Sequence, residues 1–177
     1  MDRLALDLDG TLAATVQTYI NEVLGNAVKK ENIMDYDFKD HDINFQHFLK
    51  YSDQLWEQNH KLIKPSEYRP DNATAKLSEF YKIDIVTARP NREDSIQKWL
   101  ELHNITYDHL LHGIHDKQEL KYDMYIDDNP YLAKKLSENK ILVYDQPWNQ
   151  NLDDKYKHIN TLNEAADNLY KNIINND

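Results

Sequence analysis

Two aspartates two residues apart, Asp7 and Asp9, stand in the run LDLDGT near the start of the chain. In an extended strand, residues i and i+2 face the same side, so both carboxylates can reach one small volume. Carboxylates that close repel each other unless a proton or a cation intervenes. A hard divalent cation is the natural partner, and magnesium takes one or two carboxylates together with substrate phosphate. Gly10 follows directly, one of only 3 glycines in 177 residues, and marks a tight turn beside the paired acids. Standing alone, the run reads equally well as a strand that ends in an ordinary Asp-Gly turn.

Three later segments give it company. Ile126-Asp127-Asp128 sets a second acidic pair at the end of a short apolar run, where Asp128 also suits helix capping ahead of Pro130. Ile85-Val86-Thr87-Ala88-Arg89-Pro90 supplies a hydroxyl where another apolar run stops. Lys117 adds a cation in a loop, a position that by itself reads as surface.

Elements that position these residues follow from hydrophobic period. Arg3–Leu8 is a short β-type run. Val16, Tyr19, Ile20, Val23, Leu24, Ala27 and Val28 follow the i, i+3, i+4 rule of an amphipathic helix, and a second stripe runs through Phe45, Phe48, Leu49, Leu55, Trp56, Leu62 and Ile63. Between them lies the polar stretch MDYDFKDHDIN, and Pro65 and Pro70 close the region. Beyond it, strands at Lys82–Thr87, Tyr107–His112, Met124–Ile126 and Ile141–Tyr144 alternate with helices. The expected helix starts are Asp71, an Asn91/Asp94 capping box, Asn129-Pro130 and a Thr161/Glu164 box. Such alternation indicates an α/β fold on a mostly parallel sheet, with ligands beyond the carboxyl ends of its strands. DLDGT, TARP and DDNP would then converge on one crevice.

DLDGT, a Thr closing an apolar strand, and a Lys ten residues ahead of an Asp-Asp pair, in that order, resemble the haloacid dehalogenase-like (HAD) phosphohydrolase superfamily. The resemblance implies a Rossmannoid parallel sheet flanked by helices, formed by residues 1–13 and 71–177, with a small helical cap, 14–70, inserted after the first strand. It makes Asp7 the nucleophile of an aspartyl-phosphate mechanism and Asp9 the general acid/base. It has Asp7, Asp127, Asp128 and the Asp9 carbonyl hold Mg²⁺. It assigns Thr87 and Lys117 to the phosphoryl oxygens, with help from the Gly10 and Thr11 backbone. An acid at Asp9 separates phosphatases from superfamily members whose phospho-aspartate is long-lived.

The short cap, TARP, the Lys117-to-Asp127 interval and the loop YDQPWN further resemble the pyrimidine-type 5′(3′)-deoxyribonucleotidases and their bacterial relatives. That implies a phosphomonoesterase acting on (deoxy)nucleoside monophosphates. Ala88 departs from the Ser found after the motif Thr in vertebrate members. Tyr36 and Phe38, in the irregular linker, are candidates to touch substrate, and Arg89 to engage a second anionic group or a base edge. A phosphatase for another small metabolite, such as a sugar phosphate, and a non-catalytic binding module of the same fold are the rival readings.

Bulk properties narrow the partners. The chain carries 31 acidic and 21 basic residues, a net charge of −10, the wrong field for gripping a long nucleic-acid backbone. With no cysteine, disulfides, thiol nucleophiles and thiolate zinc sites drop out. No window approaches the 18 apolar residues of a membrane span, and a cytoplasmic location is expected; oligomeric state is left open. His109, His112 and His115 recur every three residues, a spacing that alternates faces in a strand, and are read as structural or incidental.

Overall fold

The computed structural model describes residues 1–25, 28–41, 43–90 and 92–176, with side chains through 171. Six strands, β1 (Asp2–Leu6), β2 (Tyr81–Val86), β3 (His109–Leu111), β4 (Met124–Asp127), β5 (Ile141–Tyr144) and β6 (Lys157–Ile159), form one sheet in the order β3-β2-β1-β4-β5-β6. Every pairing is parallel. Parallel sheets need cover on both faces, which is why β5 (ILVY) is apolar and buried throughout. β6, with the sequence KHI, is too short and polar to announce itself and is absent from the sequence-based expectation.

The helices are α1 (Thr15–Val23), α2 (Phe45–Asn59), α3 (Pro70–Ser78), α4 (Glu93–Leu102), α5 (Pro130–Ala133) and α6 (Leu162–Asn176). α1 stops earlier than its apolar stripe suggested, at Leu24-Gly25, where Gly25 takes φ +55°; Ala27 lies outside the described residues. Asn44 caps α2 by accepting from the His47 N–H. Asp71 does not cap α3. Pro70 occupies the first turn, Arg69 is the N-cap in a left-handed conformation, and Asp71 pairs with the Arg69 guanidinium. Asn91 lies outside the described residues. Asn129 and Pro130 start α5 as expected, Asn129 accepting from the Tyr131 N–H. Thr161 accepts from the Glu164 N–H, while Glu164 reaches back to the Asn160 N–H.

Leu4, Leu6, Ile83, Ile85, Trp99, Leu162 and Leu169 belong to the main core on one side of the sheet. Tyr122, Tyr125, Leu132 and Val143 belong to a second core. The 14–70 stretch divides its loyalty. Leu55, Trp56 and Ile63 join the main core, whereas Tyr19, Ile20, Ile33, Phe38 and Phe48 form a separate cluster with Trp148. No helix among the described residues is long and apolar enough to cross a membrane.

Asp84 places a charge in the middle of the sheet. Asp84, fully buried in β2, accepts from Arg3 at 2.5 Å, Tyr122 at 2.7 Å and His109 at 2.9 Å. Burial pushes its carboxyl up, but the hydrogen bonds from Tyr122, Arg3 and His109 win and hold it below the usual carboxylate range. Asp84→Asn is expected to cost about 1–3 kcal/mol in urea denaturation at pH 7. Because the folded carboxyl titrates below the unfolded one, this stability is present above the ordinary carboxylate range and is lost as pH falls through the folded value. The gap between wild type and variant should therefore close in acid.

Candidate active site

The chain winds from β1 outward to β3 on one side and from β4 to β6 on the other, so the strand order reverses between β1 and β4. Ligands of such sheets bind at that point, beyond the carboxyl ends. Asp7 follows β1 and its N–H donates to the Ile126 carbonyl at 3.0 Å, tying it to β4. Asp127 ends β4 and Asp128 comes next. Adjacent strand ends thus bring Asp7, Asp127 and Asp128 together, with one carboxylate oxygen from each lying within 4.8 Å of the others. All three are buried.

Lys117 enters from a single 3-10 turn (Lys117–Leu120), whose first carbonyl accepts from the Tyr125 hydroxyl at 3.3 Å. Its ammonium donates to Asp7 and, at 2.7 Å, to Asp127. Burial alone would lower that ammonium, but Asp127 and Asp7 raise it above its ordinary value. At Asp7 burial wins. Burial, helped by Asp127 and only partly offset by Lys117, pushes its carboxyl up to about 7. Asp128 is raised well above the carboxylate range by burial and by Asp7 and Asp127.

Three ionised carboxylates against one ammonium leave two negative charges, the complement of a divalent cation. Asp128 Oδ2 accepts from Trp148 Nε1 at 2.9 Å, yet its buried Oδ1 has no donor among the described residues. A buried oxygen without a donor is costly, and an all-oxygen set of this charge suits a hard cation. The residues fit a metal.

Gly10 explains itself here. It holds φ +93°, and a Cβ on it would lie 2.4 Å from Asp128 Oδ2. Its N–H is committed to the Ala13 carbonyl at 2.9 Å, and its carbonyl accepts from Gln146 at 2.6 Å. Gly10 therefore leaves room for Asp128, and its N–H is spent within the turn. Thr11 is fully buried.

Asp9 faces a different environment. Thr15, Trp56 and Arg89 all donate to it. Burial would raise its carboxyl, but the Arg89 charge and these hydrogen bonds hold it below the usual range. Thr87, buried at the end of β2, accepts from the Arg89 N–H at 3.2 Å. Asp7, Asp9, Thr87, Lys117 and Asp128 share the wall of one cavity of about 460 Å³, a size typical of small-molecule sites.

The insert supplies the cavity's apolar side. Phe38 is buried at φ +60° and packs edge-on against Phe45 and Phe48, while Tyr36 stands edge-on to Tyr131 and Trp148. Arg89 is buried and paired with Asp9 and Asp53, and it also lines the cavity. The three histidines separate. His109 pairs with Asp84, His112 with Glu93 at 3.4 Å, and His115 lines the cavity.

Trp148, Gln146, Trp56 and Thr15 were not singled out as site residues by sequence. Gln146 and Asn149 form a reciprocal capping box around Pro147-Trp148, and YDQPWN was the available signal for it. Trp56 reads as a core tryptophan, and nothing in its pattern points to its Nε1.

Among solved structures, the fold matches that of a HAD phosphatase from Thermococcus onnurineus, at 17% identity over 96% of this chain and 98% of that one, TM-score 0.52. It also matches that of a HAD-superfamily hydrolase, subfamily IA, variant 1, from Geobacter sulfurreducens PCA, at 11% identity over 96% of both chains, TM-score 0.54. No curated protein matches significantly. The fold is that of the HAD superfamily. The family described as 5′ nucleotidase, deoxy (Pyrimidine), cytosolic type C protein matches residues 2–171, and the chain belongs to it. It is a HAD phosphatase, a phosphoric monoester hydrolase.

Gly10→Ala is expected to destabilise the fold by about 1–3 kcal/mol. Adding Asp128→Ala should recover part of that loss, because the new methyl and the Asp128 carboxylate compete for one space; a double-mutant cycle in urea measures the coupling.

Asp128 titrates above its unfolded value, so the metal-free fold binds more protons than the unfolded chain. Its ionisation lowers stability as pH rises through the folded value. In EDTA, Asp128→Asn should therefore gain stability relative to wild type between pH 5 and pH 8, by about 1 kcal/mol or more. Thermal melts at both pH values read this difference.

Proposed function

We propose that the chain is a magnesium-dependent 5′-nucleotidase acting on (deoxy)nucleoside monophosphates through an aspartyl-phosphate. The juxtaposition of Asp7 with Asp127, Asp128 and Lys117, buried beside an aromatic-lined cavity, carries this reading. Asp7 Oδ attacks phosphorus, the bond from phosphorus to the ester oxygen breaks, and Asp9 protonates the departing alkoxide. Asp9 then takes a proton from water as that water attacks the phospho-aspartate, which frees Asp7 and inorganic phosphate. Lys117 and Thr87 bind the phosphoryl oxygens and offset the charge that gathers there. Asp7, Asp127 and Asp128, with the Asp9 carbonyl, would hold Mg²⁺, which neutralises phosphate charge and draws a dianion into an acidic pocket.

Residues 14–70 act as a cap over this site. Its separate apolar cluster supports that assignment, as do Tyr36 and Phe38 on the cavity wall. Nucleobases stack well on aromatic faces, at about 1–3 kcal/mol per base. The family to which the chain belongs is itself described as a 5′ nucleotidase of deoxy pyrimidine type, which agrees with that chemistry.

Phosphate release from a panel of nucleoside monophosphates and sugar phosphates, with and without Mg²⁺, tests the proposal. Nucleotides should lead the profile, EDTA should abolish release, and Asp7→Asn should reduce kcat by at least about 10³-fold. A profile led by sugar phosphates would overturn the substrate; unchanged turnover in Asp7→Asn would overturn the nucleophile.

A further inference from the structure

The two oxygens of Asp9 are held unequally. Oδ1 receives three donors, Thr15 Oγ1 at 2.6 Å, Trp56 Nε1 at 3.0 Å and Arg89 Nη2 at 3.0 Å. Oδ2 receives one, Arg89 Nε at 3.1 Å. A carboxylate offers about four acceptor sites in all, so Oδ1 is saturated and Oδ2 keeps capacity to exchange a proton. Arg89 grips both oxygens with the fork geometry that lysine cannot reproduce.

Arg89 is itself braced from the insert. Nη1 donates to Asp53 on α2 at 2.7 Å, and Nη1 and Nη2 lie 3.5 and 3.4 Å from Ser52 Oγ. The guanidinium also sits 5.7 Å from the centre of the Trp56 ring. Asp53, Ser52 and Trp56 all belong to α2 and Thr15 opens α1, so every holder of Asp9 other than Arg89 comes from residues 14–70. Arg89 lines the cavity, yet its five guanidinium donors have five internal contacts between them, all to Asp9, Ser52 and Asp53.

We propose that Arg89 is a positioning residue: braced by Asp53 and Trp56, it fixes the Asp9 carboxylate with Oδ2 as the proton-exchanging atom. Proton transfer in this enzyme then depends on how α2 is seated on the core. The inference rests on the acid/base role of Asp9 proposed above.

The test compares first-turnover release of p-nitrophenol from p-nitrophenyl phosphate, whose leaving group needs little protonation, with release of phenol from phenyl phosphate, which needs more. Arg89→Lys keeps the charge and loses the fork. It should slow phenol release about ten- to a hundredfold and p-nitrophenol release about threefold or less, with KM for both within about threefold. Asp53→Asn should show the same selectivity at about three- to tenfold, and it carries the test if Arg89→Lys fails to fold. Equal slowing on both esters in these variants, while Asp9→Asn remains selective, would overturn the positioning role and spare the acid/base assignment. Asp9→Asn slowing both esters equally would remove that assignment and the proposal with it. A raised KM with kcat intact in Arg89→Lys would make Arg89 a ligand contact instead.

Discussion

Three carboxylates confined to the ends of two neighbouring strands set the terms for the rest of this molecule. Asp7, Asp127 and Asp128 lie too close together, and too deep, for all of them to ionise freely. The fold answers with a buried lysine that bridges Asp7 and Asp127, and with Trp148, which binds one oxygen of Asp128. The remaining negative charge and the unpaired Asp128 Oδ1 are what a cation and a phosphate ester can use. Gly10 is part of the same constraint, since its missing side chain is the space into which Asp128 fits.

The two catalytic-type acids next to the turn are separated by environment rather than by sequence. Asp7 and Asp9 are two residues apart, yet burial among acids pushes one up while Arg89, with Thr15 and Trp56, holds the other down. The partners responsible for the split, Arg89 and Trp56, come from β2's end and from α2, elements far from the turn in sequence.

Much of the fold was legible because its signals are local. β5 and the start of α5 lie where apolar runs and Asn-Pro place them, since such runs and fixed-φ caps act within a few residues. The start of α3 departs from the Asp71 cap that the sequence suggests, because Pro70, with its φ preset for a first helical turn, takes that end behind an Arg69 N-cap. β6 carried no periodic signal at all: three residues gain strand geometry only by pairing with β5.

The sequence by itself determined which chemistry was available. Asp7, Asp9, Thr87, Lys117, Asp127 and Asp128 could be proposed as one group because their types, their order and the resemblance they carry are properties of the chain alone, and the fold gathers them. Only the tertiary structure decided how those groups are paired. That Arg89 turns inward onto Asp9 and Asp53, that Trp56 lends its N–H to the site, and that Trp148 meets Asp128 depend on helices packing across a sheet. Burial and the direction of a side chain are set by contacts distant in sequence, and no local pattern encodes them.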